Sequence, residues 1–382
     1  MPPHNGLTHL KEYDIKDSNV EFIGTEIDHR IKYASAQTEP AWNNGLIGQQ
    51  AGLYVWRIEN FEVIPWPAQK AGQFYEGDSY IVLHSYQVGN PPNEKLGHEI
   101  YFWIGAKSSQ DERGTAAYKT VELDEFLEGK ATQHRETQNA PSEDFLALFP
   151  RIRILRGGVD SGFTHVDTDA TPPEVTTLLR VFKHGRSMLV VEVEPTWQSL
   201  SEEDVFILDK GEKIWVWQGK GCSPTEKAKA AQVVNDMTLA KHVDVEVLAQ
   251  AESRSAVFVS LLGGYALPSE FRAARPVAER SAANHGKKLL RLSDASGQLS
   301  FDTVKSNENI EKSDFNTKDV FLLDVGSSIW VWRGLGASAA EKAMWLKVAQ
   351  SYIQHNQIKS EVSLASVVEG NESPAFLRAI EV

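Results

Sequence analysis

One string recurs three times along this 382-residue chain, and its period is that of a whole domain. The copies open Gly77-Asp78-Ser79-Tyr80-Ile81-Val82-Leu83, Glu203-Asp204-Val205-Phe206-Ile207-Leu208-Asp209 and Lys318-Asp319-Val320-Phe321-Leu322-Leu323-Asp324. Each is followed by an aromatic run ending in glycine: Tyr101-Phe102-Trp103-Ile104-Gly105, Trp215-Val216-Trp217-Gln218-Gly219 and Trp330-Val331-Trp332-Arg333-Gly334. A glutamate then heads a helix-like stretch, at Glu112, Glu226 and Glu341. These glutamates lie 114 (226 − 112) and 115 (341 − 226) positions apart. Solenoid units run about 20–50 residues, so a period this long means separate domains.

The β-branched and aromatic runs read as strands, and the stretches after each glutamate read as helices. A mixed sheet with a long helix packed on it satisfies both, which predicts an α/β fold of the α+β type: three domains, each a mixed central sheet between a long and a short helix. The Asp-to-Glu gap is 22 in the second and third repeats (226 − 204, 341 − 319) but 34 in the first (112 − 78). The extra residues fall in the turn-rich Val88-Gly89-Asn90-Pro91-Pro92-Asn93, which predicts a hairpin extension. Thr171-Pro172-Pro173 marks one junction and Ala273 to Lys288 the next. The expected organisation is an extension over 1–48 and domains over 49–166, 174–272 and 286–382. Val20, Ile23, Ile27 and Ile31 have helical spacing, which predicts a small helix docked on the first domain.

A formal net charge of −13 argues against a nucleic-acid partner. No run approaches the roughly 18 apolar residues that span a bilayer. The start, Met1-Pro2-Pro3-His4, lacks the basic and apolar segments of a signal peptide. With one cysteine, Cys222, no internal disulfide can form, so a reducing, cytoplasmic compartment is expected. Enzyme signals are missing: Gly219-Lys220-Gly221-Cys222-Ser223 lacks phosphate-loop spacing, and no Gly-x-Ser-x-Gly or His-Glu-x-x-His occurs. Cys222 sits near a helix start, where a thiol can be activated; an incidental thiol is the other reading. Catalysis is not expected.

Several motifs identify a family. Gly52-Leu53-Tyr54-Val55-Trp56-Arg57-Ile58-Glu59-Asn60-Phe61 and Phe74-Tyr75-Glu76-Gly77-Asp78-Ser79-Tyr80 resemble the opening of a first gelsolin domain. Ser109-Gln110-Asp111-Glu112, Gln133-His134-Arg135-Glu136 and Gly157-Gly158-Val159-Asp160-Ser161-Gly162-Phe163 are similar to its later motifs. The resemblance covers roughly residues 42–382 in three copies, as in the three-domain, severin/fragmin-like branch of the gelsolin/villin family. It implies a monomeric protein of the actin cytoskeleton that severs filaments and caps their barbed ends in a calcium-dependent way. Capping without severing is the alternative, and a calcium-responsive scaffold with another partner is a third reading.

Calcium takes several oxygens, typically carboxylates and carbonyls. The recurring pairs Asp78 with Glu112, Asp204 with Glu226 and Asp319 with Glu341 supply such groups, although an Asp at a strand end and a Glu in a first helical turn also serve capping. The resemblance implies that each pair meets, beside the carbonyls of Gly77, Glu203 and Lys318, with the Val159 carbonyl added in the first domain. It implies a second site in that domain from Asp124 and the carbonyls of Gly129 and Ala131, completed by an actin carboxylate, with Glu136 as an assistant. A shared cation offsets repulsion between two acidic partners.

The segment from Gln110 to Glu128 is predicted to be the long helix. At 100° per residue Ala116, Thr120, Leu123 and Leu127 share the face that packs on the sheet. The opposite face centres on Tyr118, Val121 and Glu125, with Glu122 beside them. The resemblance implies that this face enters a cleft of actin, a helix-in-groove mode. Arg151, Arg153 and Arg156 form one basic run, and Arg180, Lys183, His184 and Arg186 another. Similar positions in the family contact the filament side and phosphoinositides; a solvated strand edge protected by charge is the plainer reading.

Overall fold

The computed structural model describes residues 36–89, 95–158, 176–264, 271–273, 286–293, 300–326, 328–338 and 362–381, together with 341, 349, 352, 353 and 356. The Val20–Ile31 stretch, the hairpin tip 90–94, Val159, the 171–173 junction and most of 273–288 lie outside these residues.

The first repeat contains β1 (Gly52–Glu59), β2 (Glu62–Pro65), β3 (Gln73–Tyr75), β4 (Ser79–Val88), β5 (Lys95–Ile104), α1 (Gln110–Phe126), β6 (Thr132–Thr137), α2 (Glu143–Ala147) and β7 (Ile152–Leu155). The second contains β8 (Thr177–His184), β9 (Ser187–Val193), β10 (Val205–Asp209), β11 (Lys213–Gln218), α3 (Pro224–Lys241), β12 (Asp244–Ala249) and α4 (Ser255–Leu261). The third contains β13 (Lys288–Ser293), β14 (Ser300–Ser306), β15 (Val320–Asp324), β16 (Ser328–Arg333), β17 (Ser363–Val368) and α5 (Pro374–Glu381).

The same five-strand order appears three times: β2-β1-β4-β5-β6, β9-β8-β10-β11-β12 and β14-β13-β15-β16-β17. In each, the first pairings are antiparallel and the last is parallel. A parallel pair needs a crossover connection, and α1 and α3 are those crossovers in the first two repeats. The architecture is therefore mixed α/β, as expected from the sequence. The longer Asp-to-Glu gap lies where predicted. β4 and β5 are ten residues each and pair out to Val88↔Lys95, whereas β10 and β11 have five and six.

Central strands bury both faces. On one face of the first repeat Tyr80, Val82, Tyr101 and Trp103 pack with Phe145 and Phe149 of the α2 region. On the other, Ile81, Leu83 and Ile100 pack with Ala116, Leu123 and Leu127 of the α1 layer. Residues Ala41, Trp42 and Ile47 join this second cluster, so part of the N-terminal extension docks on α1.

The repeats are fused edge to edge. β17 pairs antiparallel with β6 through Leu364↔Arg135, Ala365↔His134 and Ser366↔Gln133, joining the first and third repeats into one ten-stranded sheet. β7 pairs parallel with β9, joining the first and second repeats. His134 stands edge-on to Trp330 across the first seam, with ring centroids 5.5 Å apart.

The glycine after each aromatic strand is a packing requirement. A Cβ on Gly105 would lie 2.3 Å from the Glu76 carbonyl oxygen, one on Gly219 2.3 Å from that of Glu202, and one on Gly334 2.2 Å from that of Thr317. Backbone cannot yield as a side chain does. Gly105→Ala is expected to cost on the order of 1–3 kcal/mol in urea unfolding. Gly114→Ala, inside α1 with open space around it, is expected to gain about 0.5–1 kcal/mol in the same assay.

Candidate functional site

The three Asp–Glu motifs fold into one repeated backbone knot. The N–H groups of Gly105, Gly219 and Gly334 donate to the carbonyls of Asp78, Asp204 and Asp319 at 3.0, 3.0 and 3.1 Å. Two residues later Lys107, Gly221 and Gly336 donate to the carbonyls of Glu76, Glu202 and Thr317 at 2.7, 2.8 and 2.8 Å. The carbonyls of Gly77, Glu203 and Lys318 lie between these engaged pairs. Among the described residues, they accept no backbone N–H.

Each glutamate sits at the third helical position of a capping box or its equivalent. Ser109, Ser223 and Ser338 donate their backbone N–H to Oε2 of Glu112, Glu226 and Glu341 at 3.2, 2.7 and 2.9 Å. Their hydroxyls accept the glutamates' own N–H in return. The capping role raised from the sequence is thus present. A carboxylate has about four acceptor directions, so it leaves room for a cation.

In the first two repeats hydrogen bonds link the helix-head glutamate to the strand beside the aspartate. In the first repeat Ser79 Oγ lies 2.7 Å from Ser108 Oγ, which donates to Glu112 Oε2 at 3.0 Å, tying the start of β4 to the start of α1. Gly77 N–H donates to the Gly157 carbonyl at 2.8 Å. A Cβ on Gly158 would lie 2.4 Å from Asp78 Oδ1, so that carboxylate abuts the residue before Val159. In the second repeat Glu226 Oε1 accepts the Lys183 N–H at 3.0 Å. Lys183 lies on β8 two residues past Val181, which pairs with Val205, the residue after Asp204, so Glu226 is tied to the strand beside the motif.

All six motif carboxylates are at most 8% exposed, and buried charges need compensation. Arginines supply part of it. Asp204 Oδ2 accepts from Arg180 Nε at 2.7 Å; Asp78 Oδ2 lies 3.4 Å from Arg57 Nη1 and accepts the Tyr80 hydroxyl at 3.2 Å. Burial, and then the neighbouring Asp78 charge, holds the Tyr80 phenol far above its usual range. The arginine partners were not read from the sequence. An arginine precedes each aspartate, but by 21, 24 and 28 (319 − 291) positions, which hides the repeat.

The donor set fits calcium in kind: buried carboxylate oxygens and, next to each motif aspartate, a carbonyl that accepts no backbone N–H among the described residues. Among the described residues no cluster of three or more His, Cys, Asp or Glu forms a metal site. A cation here would be held by two carboxylates and backbone carbonyls. Val159 lies outside the described residues.

Asp124 and the loop after α1 form a second cluster. Asp124 Oδ1 accepts the Ala131 N–H at 3.0 Å, Oδ2 accepts Gln133 Nε2 at 2.6 Å, and the Gly129 N–H donates to the Asp124 carbonyl at 2.8 Å. Glu128 and Gly129 both take left-handed backbone to close this turn. Burial pushes the Asp124 carboxyl up, against the opposing pull of Arg333 from the third repeat. Glu136 is fully buried and supports the start of α2, accepting the Ser142 N–H and hydroxyl at 2.7 Å each, and the Ser363 hydroxyl from the third repeat at 3.3 Å.

The predicted inner face of α1 is buried, and α1 spans Gln110–Phe126. Outward, Tyr118 is 55% exposed and Val121 and Glu125 are half-buried. Glu122 departs from its expected outward position: it is buried against Lys119 (3.1 Å), which also holds Glu39 at 2.6 Å. The docked extension covers that flank.

The basic runs divide by strand alternation. Arg180 is buried and paired, which removes it from any outer surface. His184 shares its face of β8 and is buried; Lys183 and Arg186 are exposed. Arg151 pairs with Asp236 and Arg156 with Glu194, so those charges are compensated within the protein. Burial pushes the Cys222 thiol up, which leaves it inactivated rather than primed. No described helix is long and apolar enough to cross a membrane.

The family profile described as Gelsolin repeat matches residues 62–146, 186–256 and 305–377. Gelsolin-like protein 1 of Lumbricus terrestris is 39% identical over 351 residues, covering 91% of this chain and 92% of that protein. Severin of Echinococcus granulosus is 35% identical over 382 residues, covering 98% and 99%. Actin depolymerising venom protein gelsolin 1 of Platymeris rhadamanthus is 36% identical over 345 residues, covering 86% and 88%. With three profile matches placed on three copies of one five-strand order, the chain belongs to the gelsolin family.

Proposed function

We propose that this chain is a calcium-responsive actin-binding protein of the cytoplasmic actin cytoskeleton, acting as a monomer, that severs filaments and caps their barbed ends. The observation that carries the proposal is the end-to-end similarity to severin, 98% of one chain against 99% of the other. The venom relative is, by its name, an actin-depolymerising protein. The working units are 49–166, 174–272 and 286–382.

Calcium would be held by Gly77, Asp78, Glu112 and Val159 in the first unit, by Glu203, Asp204 and Glu226 in the second, and by Lys318, Asp319 and Glu341 in the third. Bound there, it supplies positive charge to buried carboxylates. Asp124, with the carbonyls of Gly129 and Ala131, offers a further cation position to be completed by an acidic partner. Tyr118 and Val121 act as the anchors of α1 in an actin groove, with Glu125 at their edge. Lys183 and Arg186 contact the filament side. Arg333 stands near Asp124 and Glu125, so docking of that end of α1 requires the third unit to move. A state-dependent affinity for calcium is what shifts such an equilibrium.

Single-filament fluorescence microscopy tests the proposal. With micromolar calcium, breaks along shafts and ends that do not regrow are expected; with chelator, neither. Growth arrest with intact shafts would leave capping alone, and unaltered filaments in both conditions would remove actin as the partner.

A further inference from the structure

Strand register places an arginine at the same point of all three repeats. Arg57 on β1 lies opposite Tyr80 on β4, Arg180 on β8 opposite Phe206 on β10, and Arg291 on β13 opposite Phe321 on β15. Each of those partners stands two residues after a motif aspartate: Asp78, Asp204 or Asp319. Side chains two apart on a strand share a face, so the fold offers each aspartate a guanidinium from the neighbouring strand.

The three arginines take up that offer to different degrees. Arg180 is 1% exposed. Its Nε and Nη2 both reach Asp204 Oδ2, at 2.7 and 2.5 Å. Its guanidinium lies 5.6 and 5.7 Å from the Phe182 and Phe206 rings, and Nη2 also donates to the Ala273 carbonyl at 3.3 Å. Arg57 is shared: Nε donates to Glu59 Oε1 at 2.5 Å, Nη1 reaches Asp78 only at 3.4 Å, and the Trp66 ring is 4.8 Å away. Arg291 turns to Asp302 at 3.9 Å, and among the described residues Asp319 makes no ion pair.

We propose that these arginines are internal counter-ions that compete with a divalent cation for the motif aspartates, and that their graded engagement ranks the sites: third repeat tightest, first intermediate, second weakest. The proposal rests on the calcium assignment above. A carboxylate held by a buried guanidinium is already neutralised. An arriving cation must displace that guanidinium, leaving a buried charge unpaired, or sit beside it and meet like-charge repulsion. Asp319 carries neither cost.

Calorimetric titration of the chelator-stripped full chain with calcium chloride tests this in wild type, Arg57→Met, Arg180→Met and Arg291→Met. Methionine keeps an unbranched stem without the charge. Arg180→Met is expected to tighten or uncover one site by about tenfold or more. Arg57→Met, partly exposed, is expected to gain about threefold, and Arg291→Met to stay at the wild-type value. Adding Asp204→Asn to Arg180→Met is expected to delete the gained site, which assigns it. In calcium-free buffer Arg180→Met is expected to melt below wild type and to recover more on adding calcium. Calcium binding in every protein with no gain in either Arg180→Met or Arg57→Met overturns the competition and leaves the calcium assignment standing. Absence of calcium binding in all of them overturns the assignment and the competition together. Should Arg180→Met fail to fold, Arg57→Met decides: a gain supports competition, and none overturns it.

Discussion

Asp204→Ala is expected to lower the unfolding free energy by about 3–5 kcal/mol, read from urea denaturation in chelator. The loss comes less from the missing attraction than from what remains. Arg180 is enclosed between two phenylalanine rings with almost no access to water, and removing its partner strands a full charge there. The double variant Asp204→Ala with Arg180→Met is expected to recover most of the loss, because it removes both charges at once. If the double variant were as unstable as the single one, packing and not charge would hold this position. The comparable change in the first repeat, Asp78→Ala, is expected to cost less. Arg57 keeps Glu59 and some contact with water.

Replacing Tyr118 and Val121 together by aspartate is expected to weaken actin-monomer binding by about a hundredfold or more, the scale of losing two anchors at the centre of an interface. Calcium uptake at the Asp–Glu sites, measured on the same protein by calorimetry, is expected to be unchanged, since both side chains lie at least six residues along α1 from Glu112 (118 − 112). Tyr118 is more than half exposed, so the fold tolerates the change. Retained actin affinity would move the interface off this helix. Glu122→Ala is expected to behave differently from either. Its carboxylate holds Lys119, which holds Glu39, so the change is expected to loosen the docked segment before it alters any outer contact.

These contrasts show what the sequence makes legible. The threefold string, the position of the hairpin insertion and the inner stripe of α1 were all readable, because each is a local pattern with a fixed period. Glu122 was not. A helical wheel divides a helix into faces but cannot say that Trp42 and Glu39, some 80 residues earlier, cover one flank. Arg180 is a different case. Period-two alternation alone sets it on the face opposite Lys183, and grouping the two as one basic patch ignored that rule. The arginine register across the three repeats needed the structure, since it is a relation between strands whose separation in sequence varies. The joining of β6 to β17 is likewise a pairing of two edges, for which neither strand carries a mark of its own.

That seam has a bearing on solubility. It is held by three residue pairs, and parting it leaves two strand edges with open hydrogen-bonding groups. The edges are unlike. β6 reads Thr-Gln-His-Arg-Glu-Thr and carries charge of both signs, whereas β17 reads Ser-Leu-Ala-Ser-Val-Val and carries none. An uncharged, β-branched edge is what neighbouring chains add to when they aggregate. Any opened form of this protein therefore trades a covered seam for one sticky margin on the third repeat, and the pairing of β6 along that margin is what keeps it covered.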